Sequence, residues 1–223
     1  VSQNLKRKGK EKMKSKLIIA TLAIAGLAIN ASAQIESSAH DFSGSAWNSS
    51  GKICLPCHTP HSSLSTLVPL WNHASTTNSF TLYTGGADFD ATDVGQPSGA
   101  SLACLSCHDG TVALDSFGGS TTGSVFLASV KASAVVGTDL SNDHPVSFTY
   151  DDTLANTDGS LHTPSDTTPA GLGGTIAEKM LFGVSDNQLE CASCHDVHNA
   201  TGFDGLLRID NAGSDLCLAC HDK

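Results

Sequence analysis

One five-residue pattern, present four times, constrains this chain more than anything else in it. It occurs as Cys54-Leu55-Pro56-Cys57-His58, Cys104-Leu105-Ser106-Cys107-His108, Cys191-Ala192-Ser193-Cys194-His195 and Cys217-Leu218-Ala219-Cys220-His221, and these four copies use all eight cysteines. Two thiols separated by two residues, with histidine directly after the second, form the attachment pattern of a c-type haem. Thioether bonds from both cysteines would pin the backbone against one porphyrin edge, and the adjoining imidazole would then lie under the iron as proximal ligand. The pattern predicts four covalently bound haem c groups, with His58, His108, His195 and His221 as proximal ligands.

Two other uses of such cysteines compete with that one. Tetrahedral zinc sites take Cys-x-x-Cys pairs, but they do not call for histidine after every second cysteine. An even cysteine count in an exported chain suggests disulfides, yet four tight Cys-x-x-Cys loops would join nothing distant. Four complete copies with no cysteine left over favour haem.

The N-terminal segment reads as a secretory signal. Lys6 to Lys16 is basic, Leu17 to Ile29 is apolar, and Ala31-Ser32-Ala33 has the small-x-small form of a cleavage site. Residues 1–33 are therefore expected to be removed, leaving 34–223 as a single tetrahaem domain. Met13 opens a stretch that would itself begin an ordinary signal, so the true start is Val1 or Met13. The apolar run is short for a membrane span, and no other stretch approaches that length. An extracellular or cell-surface location is expected, with the periplasm as the alternative.

Cleavage would change the charge balance. Seven of the twelve Lys and Arg precede Ala33, leaving Lys52, Lys131, Lys179, Arg208 and Lys223 against twenty-one acidic residues, a net charge of −16. Such a surface argues against nucleic acid or anionic lipid, which need cations to neutralise phosphate. It suits basic redox partner proteins.

Aromatic residues are scarce (5%), while Gly, Ser and Thr abound. Large flat haem faces would supply the apolar surface that the side chains lack, offsetting the entropy of ordering the loops. The expected fold is a multihaem cytochrome c, mostly coil with short α-helices and very little β, wrapped around four stacked haems. Locally, a short helix is expected within Leu102 to Leu114, and helix or buried strand within Ser124 to Val136. The alternation of Val146, Phe148 and Tyr150 suggests a half-buried strand. Asp151 to Gly174 reads as loop, and Ile176 to Phe182 as a helical turn or two ending at Gly183. The third and fourth motifs are close in sequence and are expected to form a compact haem pair.

The far side of each iron decides the chemistry, because an open sixth position can bind small molecules and a closed one mostly passes electrons. Of ten histidines, six are not proximal, and Met180 is the only methionine beyond residue 33. Bis-histidine ligation of all four haems is the arithmetic outcome, and it implies low potentials. His61 and His198 each sit three residues after a proximal histidine and can reach a neighbouring haem. His144 precedes Pro145 in the long interval between the second and third motifs. His40 and His73 flank the first motif. These five are candidates for four distal places, whereas His162 lies in a polar loop and reads as a surface residue.

The order His40-Asp41-Phe42-Ser43, then Cys54 to His58 continuing as Thr59-Pro60-His61, then Pro69-Leu70-Trp71-Asn72-His73, followed by three further motifs, resembles the doubled-CXXCH multihaem c-type cytochromes. Within them it is similar to the OmcE-type tetrahaem nanowire cytochromes. The specific part spans residues 40 to 73. The resemblance implies a homopolymer in which bis-histidine haems stack along a filament axis, with His61 ligating a haem of the adjacent subunit.

Three functions are compatible with these residues. The first is an electron-conducting filament subunit serving extracellular acceptors, and the second a monomeric periplasmic electron shuttle. A multihaem reductase is the third, and it would need one haem with an open axial position. The first two are electron carriers rather than enzymes, and no catalytic acid, base or nucleophile is expected.

Overall fold

Short helices separated by glycine-rich turns carry most of the regular structure in this computed structural model, which describes residues 35–63, 67–86 and 89–222. The expected signal segment lies outside the described residues. Residues 34–223 form one unit by their contacts. Among the described residues no helix is long and apolar enough to cross a membrane.

The longest helix, α1 (Gly99–His108), contains the whole second motif. It starts three residues earlier than the expected helix because Gly99 takes a positive φ of 48° that opens it, and it stops at Asp109 because Gly110 turns away at φ 78°. The Ser124 to Val136 stretch resolves as α2 (Leu127–Lys131) running into a 3₁₀ turn, Ala132–Ala134. Val130 and Val136 are exposed, so this is not a buried strand.

The strand expected around Phe148 is only two residues long. β1 (Phe148–Thr149) pairs antiparallel with β2 (Gln188–Leu189), in register Phe148 with Leu189 and Thr149 with Gln188. Its role is positional: it brings Ser147 beside Glu190, directly before the third motif.

Part of the expected 151–174 loop is helical. α3 (Asp152–Asp158) starts where the Asp151 carboxylate accepts the Leu154 N–H, and it ends at Gly159 in the left-handed region, φ 72°. A carboxylate cap at one end and a glycine at the other are ordinary helix boundaries, outweighed in the sequence by the Ser, Thr and Asp content. α4 (Ile176–Met180) begins with a reciprocal capping box between Thr175 and Glu178. α5 (Cys191–Cys194) and α6 (Asp215–Leu218) complete the helices around the last two motifs.

The side chains do assemble a core of their own. Phe148, Tyr150, Ala155, Ile176, Met180, Leu181, Leu189, Ile209 and Ala219 form one buried cluster, and Phe80, Leu105 and Leu140 a smaller one. The larger cluster fastens β1, α3 and α4 to the region of the last two motifs. Tyr150 is anchored further, its hydroxyl donating to the His162 carbonyl at 2.5 Å.

Candidate haem centres

Each motif is folded into a single helical turn. The histidine N–H returns to the carbonyl of the first cysteine at 2.7 Å for His58 and Cys54, 3.1 Å for His195 and Cys191, and 2.9 Å for His221 and Cys217. The second motif is the last turn and a half of α1. Residues three apart on a helical turn share a face, so both thiols of a motif point the same way and the imidazole follows one step behind.

Three of the motif histidines share a second partner. Nδ1 lies 2.8 Å from the Pro69 carbonyl in His58, 2.8 Å from the Ala134 carbonyl in His108 and 2.8 Å from the Gly205 carbonyl in His195. A carbonyl only accepts, so Nδ1 carries the proton and Nε2 keeps its lone pair. This is the tautomer a metal-binding imidazole needs, with its ring fixed by the backbone. Local pairing builds these partners: Thr59 N–H bonds the Leu70 carbonyl at 2.9 Å, Val136 N–H the His108 carbonyl at 2.7 Å and Arg208 N–H the Cys194 carbonyl at 2.9 Å.

Across from three motif histidines stands a second imidazole. His58 faces His198 with ring centroids 6.3 Å apart and planes 20° from parallel. His108 faces His40 at 6.1 Å and 59°, and His221 faces His144 at 6.4 Å and 70°. With metal–nitrogen bonds of about 2.0 Å and roughly 1.2 Å from nitrogen to ring centre, two imidazoles on opposite sides of one ion have centroids about 6.4 Å apart. The three pairs therefore have the separation that suits a single iron between them. Among the described residues no group of three or more His, Cys, Asp or Glu is arranged to hold a metal. Each of the three pairs would offer two imidazole nitrogens, with the two thiols of its motif nearby, to a bound haem c.

The opposing histidines are prepared in different ways. His144 directs Nδ1 to the Pro145 carbonyl at 2.9 Å, leaving Nε2 available. Burial holds His40 down to about 4, with the charges of His108, His195 and His198 adding to the effect, so the ring stays neutral. Its Nδ1 is buried without a hydrogen-bond partner, a costly state that a metal bond or other partner would relieve. His198 is half exposed, with Nδ1 3.8 Å from the Asp196 carboxylate.

The remaining candidates are placed differently. His73 is 2% exposed and does not face a motif histidine. Both of its nitrogens meet carbonyls, Ala74 at 2.8 Å and Ala113 at 3.1 Å, and its Nε2 lies 3.7 Å from Cys107 Sγ. His61 is exposed at the surface. His162 is half-buried and joins the fold through its backbone, accepting from Tyr150 and donating its N–H to the Cys220 carbonyl. Among the described residues no imidazole ring stands opposite His195.

None of the eight cysteines is in a disulfide, and their neighbours order the centres. Cys57 acts on Cys107, Cys104 hydrogen-bonds Cys191, Cys217 acts on Cys194, and Cys194 acts on Cys220. The centres thus adjoin in chain order, first to second to third to fourth. The third is joined to the second as well as to its sequence neighbour the fourth, because α1 packs on α5. Burial pushes the Cys57 thiol up to about 11 and Cys220 up to about 12. These thiols are held protonated in apolar surroundings.

Two carboxylates that directly follow a motif histidine are held by hydrogen bonds. Asp109 is 4% exposed and accepts from Thr76 Oγ1 at 2.5 Å, Asn78 Nδ2 at 3.0 Å and the Thr111 N–H at 2.7 Å. Asp196 accepts from the His198 and Ala200 N–H groups, both at 3.1 Å. The Asp196 bonds are local, whereas Thr76 and Asn78 reach Asp109 from a loop some thirty residues away that carries no sequence signature.

Residues 184–223, which hold the third and fourth motifs, match the family model for the doubled CXXCH motif. No curated protein matches the chain. The match supports a haem-binding c-type cytochrome of the multihaem kind.

Proposed function

We propose that this chain is a tetrahaem electron carrier that works as the subunit of an extracellular conducting filament. The observation that carries this reading is an imbalance among imidazoles. His58/His198, His108/His40 and His221/His144 are facing pairs, whereas His195 has no opposing ring within the described residues and His61 stands exposed with no motif histidine across from it. A second copy that presents its His61 to His195 would complete the fourth pair and join the subunits through the same contact.

Under this reading the cysteines anchor four haem c groups, the motif histidines hold the proximal places, and His198, His40, His144 and a neighbour's His61 hold the distal ones. Bound haem supplies one-electron redox chemistry. The chain fixes the ring orientations through the Pro69, Ala134 and Gly205 carbonyls and sets the centres in sequence, and wherever two imidazoles oppose one another they would exclude exogenous ligands from a bound haem. His73, with both nitrogens on carbonyls, serves as a wedge between the first two centres.

The bare face of His195 also favours a second reading, in which that centre stays open and reduces a small molecule. Replacing His61 by Ala separates the two. Loss of filaments in electron micrographs of the secreted protein, with four haems still attached, supports the conducting subunit. Filament-free wild-type protein with a ferric high-spin band and turnover of a substrate supports the reductase.

A further inference from the structure

The helices that bear the second and third motifs, whose first cysteines lie 87 positions apart in sequence, meet at one buried carboxylate. Glu190 is 3% exposed. Its Oε2 accepts from the Ser101 N–H at 3.1 Å, from the Ser101 hydroxyl and from the Ser147 hydroxyl at 3.0 Å, and its side chain also caps the Ser193 N–H. The Ser101 hydroxyl in turn accepts the Cys191 N–H at 3.0 Å, and the Ser193 hydroxyl accepts the Glu190 N–H at 2.8 Å. Every donor is a serine hydroxyl or a backbone N–H. No lysine or arginine side chain is among them, so the carboxylate is bound but not neutralised.

The surrounding residues are fitted to this group. A Cβ at Gly99 would sit 3.0 Å from Glu190 Oε1, and Gly99 has φ 48°, so glycine there serves both the turn and the close approach. Ser147 reaches the carboxylate because β1 pairs with β2, and it also receives the Ser98 N–H at 3.1 Å. Beyond the carboxylate, the Cys104 and Cys191 side chains share a hydrogen bond, and the Glu190 charge acts on both. One acidic side chain therefore touches the leading turn of α1 and the leading turn of α5, the two helices that bear neighbouring haem attachments.

We infer that Glu190 is a positioning residue that clamps the second and third haem-attachment turns together and lowers the reduction potentials of both their haems jointly. The inference rests on the haem-bearing reading above. A buried negative charge favours the oxidised, more positive centre. At an effective dielectric constant of about 20, a unit charge about 10 Å away changes a one-electron equilibrium by more than tenfold. Such pairing would give the middle of the relay two centres that are tuned as a unit.

The test is an NMR-followed redox titration of the full haem-loaded chain, resolving the four haems, for wild type, Glu190→Gln and Glu190→Asp. Glu190→Gln is expected to raise two of the four potentials by at least tenfold in the reduction equilibrium, which is 59 mV for one electron, and to leave the other two unchanged. Glu190→Asp keeps the charge and is expected to hold all four near wild type. If Glu190→Gln does not mature, Ser147→Ala removes one donor from the carboxylate while keeping its charge, and is expected to lower the same two potentials. Four unchanged potentials, or a uniform shift of all four, would overturn the inference while leaving the electron-carrier reading intact. Fewer than four haems in the wild-type chain would instead overturn that reading.

Discussion

Removing the His198 imidazole should erase one identifiable signal from the ferric spectrum, and the ring angles say which. Each axial imidazole donates π density into the iron d orbital perpendicular to its own plane. Parallel rings act on the same orbital and split the pair strongly, while crossed rings act on both and nearly cancel. If the splitting follows the cosine of the interplanar angle, the 20° pair His58/His198 retains about nine-tenths of the maximum. The 59° pair His108/His40 keeps about half, and the 70° pair His221/His144 about a third. Low-temperature EPR of the ferric protein should therefore show a rhombic low-spin species from the first centre and two species of large g-anisotropy from the second and fourth, beside the signal of the His195 centre, whose opposing ring would come from another copy. In His198→Ala the rhombic species should vanish and be replaced by one high-spin equivalent per chain, a quarter of the iron, with the anisotropic signals unchanged. Survival of the rhombic signal, or loss of an anisotropic one in its place, would refute the pairing of His58 with His198.

Other consequences follow from the same geometry. His61→Ala is expected to abolish polymers while leaving four haems per chain, checked by electron microscopy together with a pyridine haemochrome assay. Because burial holds His40 down to about 4, its neutral form persists far below the usual histidine range. Ile176→Ala, at a position with no exposure in the protein's own core, should cost about 2–5 kcal/mol in denaturant unfolding of the haem-loaded chain and leave its EPR spectrum unaltered. Gly159→Ala forces a side chain into the left-handed cap of α3, φ 72°, and should cost about 1–2 kcal/mol in the same assay.

The attachment turns were legible in the sequence because each is local: five consecutive residues contain both thiols and the proximal imidazole. The opposing imidazoles were legible only as a pool of names. His198 lies 140 positions from His58, and His40 lies 68 from His108, so loop paths that carry no periodicity decide which ring faces which centre. His73 shows the limit of proximity in sequence. It flanks the first motif as a ligand would, yet its ring is packed between the Ala74 and Ala113 carbonyls and faces no motif histidine. The α3 helix was hidden because capping residues and loop residues are the same types, and only the Leu154 N–H bond to Asp151 tells them apart. Glu190 and Asp109 were overlooked for a related reason: a carboxylate beside a motif reads as solvated until distant serine, threonine and asparagine donors are folded against it.

Electron cryo-microscopy of the protein purified from its native source tests the central claim most directly, since it reads subunit contacts and axial ligands together. The expected map is a filament with four haems per subunit, His198, His40 and His144 opposite His58, His108 and His221, and the His61 of one copy opposite the His195 of the next. Discrete particles with fewer than four haems, or a polymer in which His195 has no imidazole across from it, would contradict it.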